Sequence, residues 1–243
     1  MATKLTIDEG NSSTKIALWR DDVMAAVTTC SSGSVEQVAA MAGADAPVDT
    51  AVFCSVCRRD AISVRRALSG LARKTIVLDA STPLPVKIGY RTPATLGADR
   101  IAAAAGATVV APGRTALVVD MGTAITNDVV QPDGTFIGGN IAPGIFVRLE
   151  ALNHYTKALP LIETDGDCPR WGYDTETAMR AGAIRGVVGE LQYYRHCLPA
   201  DAVVILTGGS ADLITPYISS AIIVEPNLVL KGLNRIIDYN EDK

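Results

Sequence analysis

Hydrophobic and polar residues follow a pattern that predicts short strands and longer helices in alternation. Short β-branched runs bounded by glycine, proline or aspartate are typical of buried strands, and longer alanine- or leucine-rich runs are typical of helices. The first half is predicted to contain strands over residues 4–8, 14–20, 23–29, 51–54 and 75–79, and helices over 35–41, 58–71 and 97–110. The segment 82–90 contains prolines and is predicted to be extended or looped.

The second half repeats this outline. Strands are predicted over residues 116–120, 124–130, 136–142 and 203–206, and helices are predicted from Pro143-Gly144 and over 175–195. Three strands in a meander, followed by alternating helices and strands, form a ribonuclease-H-like unit. The sequence therefore predicts an α/β fold of two such domains, residues 1–113 and 114–243.

Each half opens on a similar polar turn between two apolar strands. The turns read Asp8-Glu9-Gly10 and Asp120-Met121-Gly122, and Thr123 follows the second. Glycine lets the backbone approach a ligand, a hydroxyl can bind phosphate, and a carboxylate can hold a cation. One such turn is equally well explained as a plain hairpin. Two of them indicate a duplicated unit whose turns face one phosphate chain, in a nucleotide cleft between the two predicted domains.

Composition narrows the classes of function. With 48% hydrophobic and 20% charged residues, the chain has the composition of an ordinary soluble globular protein. Its net charge of −4 argues against a nucleic-acid partner. We expect no membrane association, because no apolar run is long enough to span a bilayer and the first twenty residues contain no secretory segment. Five irregularly spaced cysteines indicate reduced thiols in a cytosol.

The motifs resemble one enzyme family within a larger superfamily. Two Asp-x-Gly turns resemble the actin, hexokinase and Hsp70 ATPases, whereas the P-loop and G-x-G-x-x-G motifs are both absent. The segment Gly97-Ala98-Asp99-Arg100 is similar to the substrate motif of type III pantothenate kinases. Segments 8–15 and 120–128 are similar to the two phosphate turns of that family. Two glycine-containing motifs, over 138–144 and 172–182, follow in the family's order.

The chain departs from the family pattern at four positions. Glu9 and Asn127 stand where the family usually has apolar residues, and Cys54 and Cys57 stand where it usually has serine and proline. A Cys-x-x-Cys spacing also occurs in zinc and redox sites. Since no second pair exists, we interpret both cysteines as structural thiols.

The resemblance implies transfer of phosphate from ATP to the terminal hydroxyl of pantothenate, which gives 4'-phosphopantothenate in the first step of coenzyme A biosynthesis. Asp99 is implied as the base that accepts the hydroxyl proton. It falls in the first turn of the helix predicted over 97–110, where the helix dipole favours its ionised form. The residues implied in substrate binding are Tyr90, Gly97, Ala98, Asp99, Arg100 and Thr175.

The resemblance also implies the cofactors and the assembly. ATP with Mg²⁺ is implied at Asp8, Glu9, Gly10, Asn11, Ser12, Ser13, Thr14 and Lys15, together with Thr123. Asp120 is implied as the ligand of a monovalent cation, K⁺ or NH₄⁺. The family pattern further implies a cytoplasmic homodimer.

Several residues admit a second interpretation. Without its flanking motif, Asp99 would be interpreted only as a charge at a helix N-terminus, and Lys15 is equally well a strand-edge lysine. The basic residues between Arg58 and Lys74 are interpreted as a solvated helix face. A non-catalytic nucleotide-binding regulatory protein and a phosphotransferase of the same fold with another small hydroxylated substrate are the alternative functions.

Overall fold

The computed structural model describes residues 2–30, 35–57 and 59–241. Contacts within the chain define two compact units. The first comprises Met1–Gly113, Gln131–Ile137 and Asn227–Lys243, and the second comprises Arg114–Val130 and Gly138–Pro226. The units use segments that alternate along the chain, and the division into two ribonuclease-H-like domains, 1–113 and 114–243, stays a prediction.

The first unit is built on a five-stranded mixed sheet. In chain order its strands are β1 (Thr3–Glu9), β2 (Thr14–Arg20), β3 (Val23–Cys30), β4 (Val48–Ser55) and β5 (Ala72–Val77). Their order across the sheet is β3-β2-β1-β4-β5. The first three strands form an antiparallel meander, and β4 and β5 extend the sheet in parallel with β1.

Helices α1 (Val35–Ala42), α2 (Ala61–Leu68), α3 (Ala98–Val110) and the C-terminal α6 (Leu228–Glu241) complete the first unit. Successive strand residues point to opposite faces, so Leu5 and Ile7 pack in one cluster with residues of α1 and α2. Helices α3 and α6 approach each other closely. A Cβ atom at Gly106 would lie 2.2 Å from the Leu228 carbonyl oxygen, so glycine is required there.

The second unit repeats the topology of the first. Its strands are β7 (Ala116–Met121), β8 (Ala124–Val130), the continuation of β9 (Thr135–Pro143), β10 (Val203–Thr207) and β11 (Ile223–Val224). The order β9-β8-β7-β10-β11 matches β3-β2-β1-β4-β5 strand for strand. This match confirms the predicted α/β fold with a duplicated ribonuclease-H-like unit.

Two helices accompany the second sheet, α4 (Ile145–Tyr155) and α5 (Thr175–His196). They bury an apolar core against the strands, which includes Leu117, Val119, Ile125, Leu149, Ile184 and Leu206. The short strand β6 (Lys87–Ile88) belongs to the first unit and pairs in parallel with the start of β9.

The structure corrects several predicted elements. The helix expected over 58–71 is shorter, because the Asp60 side chain caps α2 by accepting a hydrogen bond from Ser63 N at 2.9 Å. The strand expected over 75–79 lies over Ala72–Val77 instead. The prediction omitted α6, although buried apolar residues recur along it with helical spacing, as at Leu230, Leu233 and Ile237.

All five cysteines lie in the described part of the chain, and none of them forms a disulfide. Within the described residues, no helix combines the length and the apolar character that crossing a bilayer requires.

Candidate active site

The turn between β1 and β2 presents a short polar loop. Gly10 N donates a hydrogen bond to Ser13 O at 2.9 Å, which closes the turn. Asn11 and Ser12 at its tip are exposed, and Gly10 and Ser13 are half-buried. The loop therefore offers main-chain N–H groups, an amide and a hydroxyl to an anionic ligand, as a phosphate requires.

The residues that flank this turn point to opposite faces of the sheet. Asp8 and Lys15 are register partners on β1 and β2, and so are Glu9 and Thr14. Since side chains alternate along a strand, Asp8 and Lys15 share one face and Glu9 and Thr14 share the other. Glu9 is 2% and Thr14 4% exposed. Any contact of these two residues with ATP would therefore come from main-chain groups.

Lys15 does not lie at a sheet edge. Its strand, β2, is hydrogen-bonded on both sides, to β1 and to β3. The interpretation of Lys15 as a strand-edge lysine is therefore wrong, and the residue stands directly across from Asp8.

Helix α3 begins at the predicted substrate motif. Gly97 is its N-cap, and Asp99 and Arg100 lie in the first turn. A Cβ atom at residue 97 would lie 2.4 Å from Asp99 Oδ1, so glycine leaves room for the carboxylate at this position. The Asp99 carboxylate thus lies at the N-terminal end of α3.

The charges of Asp8 and Asp99 both affect the pKa of the Cys54 thiol. Cys54 is the register partner of Asp8 on the parallel strand β4, is fully buried, and donates a hydrogen bond to the Asp8 carboxylate. Burial raises the pKa of the Cys54 thiol well above its ordinary value, and the charges of Asp8 and Asp99 raise it further. The first unit thus brings the turn after β1 and the start of α3 to one place.

Arg100 is held between two aromatic rings. Its guanidinium carbon lies 5.7 Å from the ring centroid of Tyr90 and 5.5 Å from that of Phe136. The two rings meet edge to face at 6.0 Å, and Gly89 N donates to Phe136 O at 2.8 Å. Arg100 is only 6% exposed. These contacts fix the direction of the guanidinium through cation–π attraction.

The second turn is enclosed by glycines from other segments. Gly144 N donates to Thr123 O at 2.9 Å, and a Cβ atom at Gly144 would lie 2.4 Å from Gly122 O. Gly208 has φ +87°, and a Cβ atom there would lie 2.5 Å from Asp120 Oδ1. Backbone groups thus lie around the half-buried carboxylate of Asp120 and the exposed Thr123.

This donor set fits a weakly held monovalent cation better than a transition metal. Asp120 supplies one carboxylate among backbone groups, and hard oxygen donors of this kind suit ions without strong directional demands. Among the described residues, no three His, Cys, Asp or Glu side chains form a metal-binding group.

Thr175 lies at the start of α5. The helix is capped by Asp174, whose carboxylate accepts from Thr177 N at 2.8 Å, while the Thr177 hydroxyl bonds back to Asp174 N at 3.1 Å. Thr175 follows this cap and is exposed. Its hydroxyl is available to a ligand because neighbouring residues satisfy the helix end.

Two departures from the family pattern have different surroundings. Glu9 accepts hydrogen bonds from Arg59 Nη2 at 2.7 Å and from Ser55 Oγ at 2.6 Å. The sequence had suggested only that Arg59 is part of a solvated basic face, whereas the structure also pairs it with Glu9. Arg58 beside it lies outside the described residues. Asn127 is 3% exposed, and among the described residues its Nδ2 atom has no hydrogen-bond partner.

The structure separates the implied residues between the two units. Asp8, Tyr90, Asp99 and Arg100 belong to the first, and Asp120, Thr123 and Thr175 belong to the second. Sequence reasoning missed Phe136, and it treated Cys54 and Arg59 as residues without a part in the site. The sequence placed Phe136 only at the start of the strand predicted over 136–142.

The family model and the curated relatives agree on one family. The family model described as type III pantothenate kinase matches residues 4–196. A type III pantothenate kinase from Porphyromonas gingivalis strain W83 is 37% identical, over 99% of this chain and 100% of its own length. Another from Phocaeicola vulgatus is 39% identical, over 98% of each chain.

Solved structures share the fold at low identity. A Baf family transcriptional activator from Campylobacter jejuni superposes with a TM-score of 0.66 at 21% identity, over 98% of this chain and 100% of the other. A ROK hexokinase from Thermus thermophilus gives a TM-score of 0.51 at 14% identity, over 99% and 100%. At these identities the likeness concerns the fold alone.

Proposed function

The chain belongs to the type III pantothenate kinase family, and we propose on this basis that it transfers the γ-phosphoryl group of ATP to the terminal hydroxyl of pantothenate. The product is 4'-phosphopantothenate, so the enzyme catalyses the first step of coenzyme A biosynthesis. One observation supports this function above the others. Asp99 and Arg100 open α3, and the charges of Asp99 and of Asp8 in the first turn both act on the buried Cys54 thiol.

In this mechanism Asp99 accepts the proton of the attacking hydroxyl. Phosphoryl transfer passes through a loose transition state, so the proton leaves late and a weak base is sufficient. Arg100 binds the carboxylate or carbonyl groups of pantothenate, with its guanidinium held by Tyr90 and Phe136. Thr175 contributes a further hydroxyl to the same substrate.

The first turn binds the ATP phosphates through the main-chain and polar groups of residues 10–13, and Thr123 of the second turn binds them through its hydroxyl. Asp8, with Lys15 across from it, lies where a magnesium–phosphate complex would be held. When bound, Mg²⁺ neutralises charge on the phosphate oxygens. Asp120 is the proposed ligand of K⁺ or NH₄⁺.

Two alternative functions make different predictions. A non-catalytic nucleotide-binding protein would release no ADP above background, and a phosphotransferase with another substrate would release ADP without a response to pantothenate. We expect ADP release to depend on pantothenate, and mass spectrometry to detect 4'-phosphopantothenate. ADP release that is unchanged by pantothenate would contradict the proposed substrate.

The assembly and location follow from the same family membership. We propose a homodimer in the cytoplasm. Light scattering coupled to size-exclusion chromatography tests the first part, since a monomer of the 25.5 kDa chain and its dimer are readily separated. A mass that stays at the monomer value at micromolar concentration would contradict the dimer.

A further inference from the structure

The first unit contains a cavity on the face of its sheet opposite to Asp8. The cavity has a volume of about 190 Å³. Its walls are mainly apolar and come from β1, β4, α1 and α2, and they include Ile7, Val38, Phe53, Val64, Ala67 and Leu68. Ile7 and Glu9 both line it, and Asp8 between them points to the other face. The cavity is therefore separate from the proposed phosphate and pantothenate contacts of Asp8 and Asp99.

One polar group in the wall is buried without a partner. Thr14 lines the cavity and is 4% exposed, and its Oγ1 atom finds no hydrogen-bond partner in the part of the chain that the structure describes. A buried hydroxyl is unfavourable unless it is hydrogen-bonded. A ligand in the cavity with one hydrogen-bonding group would satisfy it.

The charges at the rim restrict the ligand further. The Glu9 carboxylate is bound by Arg59 and Ser55, and Asp60 is bound by Ser63 N and Oγ. Two carboxylates and one guanidinium leave the described rim residues with a net negative charge. A carboxylate or phosphate would be repelled there, whereas a neutral molecule would not.

The volume sets the size of the ligand. An apolar protein cavity of about 150 Å³ is large enough to hold benzene. A cavity of 190 Å³ therefore suits an apolar body of that size with one small polar group attached. We propose that this cavity binds a small neutral amphiphile, with its hydroxyl or amide group bonded to Thr14 Oγ1 and its apolar body between α2 and the sheet.

The position of the cavity couples it to the first phosphate turn. Glu9 and Thr14 are the register partners at which the turn leaves β1 and enters β2. A ligand bonded to Thr14 therefore contacts the base of the turn from behind, and its occupancy should change how the turn binds ATP phosphates. This regulatory part rests on the proposed function, whereas binding itself does not.

Methyl NMR of the full chain tests the binding, with benzyl alcohol as the probe. We expect saturable shifts at the methyl groups of Ile7, Val38, Val64 and Leu68, with a Kd on the order of 1 mM. Toluene lacks the hydroxyl and should bind several-fold more weakly, and benzoate should bind least because it is charged. Shifts that are scattered or do not saturate would overturn the site, and tighter binding of benzoate would overturn the neutral class.

A variant that fills the cavity provides the matched test. Ala67→Leu adds volume at an exposed position of α2 that lines the cavity, whereas Ala40→Leu makes the same change at an exposed position of α1 that does not line it. We expect Ala67→Leu to weaken benzyl alcohol binding at least tenfold and Ala40→Leu to leave it unchanged. If Ala67→Leu does not fold, Val64→Phe serves the same purpose. Equal binding of benzyl alcohol by the wild type and by the cavity variant would overturn the proposal.

Steady-state kinetics then test the coupling separately. At saturating benzyl alcohol we expect the KM for ATP to change at least twofold in the wild type and to stay constant in Ala67→Leu. An unchanged KM in a fully occupied wild-type protein would overturn the coupling while leaving the binding site in place. If the chain had no kinase activity at all, the NMR titration would still decide whether the cavity binds the probe.

Discussion

Cys54 lies beside Asp8 in the register of two parallel strands, and its fully buried thiol donates a hydrogen bond to the Asp8 carboxylate. The thiol stays protonated because burial and the charges of Asp8 and Asp99 raise its pKa. The protonated Cys54 thiol therefore orients the Asp8 carboxylate, which is proposed to face magnesium and phosphate. Serine, which the family usually has at this position, offers a donor of the same kind.

Replacing Cys54 tests this positioning role. Cys54→Ala removes the donor and should lower kcat/KM for Mg-ATP by about fivefold, which corresponds to roughly 1 kcal/mol for one hydrogen bond. Cys54→Ser retains a donor and should restore most of the loss. Cys197→Ala, at an exposed position, is the control. If the alanine and serine variants behave alike, the thiol acts only by filling space.

Replacing the proposed base, Asp99, should lower activity more than replacing Cys54. Asp99→Asn keeps the shape of the first turn of α3 and should lower kcat by roughly two to four orders of magnitude, the usual scale for a lost general base. Nucleotide binding, measured by calorimetry, should change little. Asp212→Asn, at an exposed acidic residue elsewhere, should leave both quantities unchanged. A kcat within a few-fold of wild type would remove Asp99 from the base role.

Phe136 should affect pantothenate more than ATP. Phe136→Leu removes one of the two rings that hold the Arg100 guanidinium, at 5.5 Å, and should raise the KM for pantothenate by about five- to thirtyfold. The KM for ATP should stay near its wild-type value, which separates lost positioning from general destabilisation. Tyr193→Leu removes an exposed aromatic ring as a control. Parallel rises in both KM values would contradict the assignment.

The monovalent cation separates the two aspartates of the repeated turns. Asp120→Asn should weaken ATP binding and flatten the response of activity to added K⁺, because the carboxylate is the proposed ligand of that ion. Asp8→Asn should chiefly impair magnesium-dependent turnover. Potassium titrations of both variants at fixed magnesium and ATP provide the measurement, with Na⁺ and Li⁺ expected to substitute poorly. A full wild-type response in Asp120→Asn would place the cation elsewhere.

The Glu9–Arg59 pair should make stability depend on pH. Hydrogen bonds from Arg59 lower the pKa of Glu9 below its ordinary value of 4.5, and burial opposes them. A lowered pKa means that the pair stabilises the fold above pH 4.5 and that this contribution is lost as the pH falls through the lower value. Arg59→Gln should remove the contribution and leave a buried carboxylate without its cation.

Urea unfolding at pH 7 and at pH 4 measures this effect. We expect Arg59→Gln to lower the urea midpoint at pH 7, by less than the loss of a fully buried pair would, because the guanidinium is half exposed. The difference from wild type should shrink at pH 4. Arg66→Gln, an exposed neighbour on α2, is the control. A loss that is the same at both pH values would show that the ion pair is not its source.

The sequence by itself determined the repeated strands and the motifs of the site. Alternation of apolar and polar residues is a local property, so β2 was predicted with its observed bounds and the two Asp-x-Gly turns were recognised directly. The motif at residues 97–100 is contiguous, so its family could be identified without coordinates. Helix α6 was missed although its apolar spacing is also local.

Only the tertiary structure decided which distant residues meet. Phe136 reaches Arg100 because β9 starts beside β6, and Arg59 reaches Glu9 because the chain after β4 stays hydrogen-bonded to the end of β1. Strand register placed Cys54 next to Asp8 and turned Glu9 and Thr14 towards a cavity on the opposite face. Such contacts depend on how strands align and which helix covers each face. A local pattern cannot contain that information, since the free energy that selects the pairing arises from burial over the whole unit.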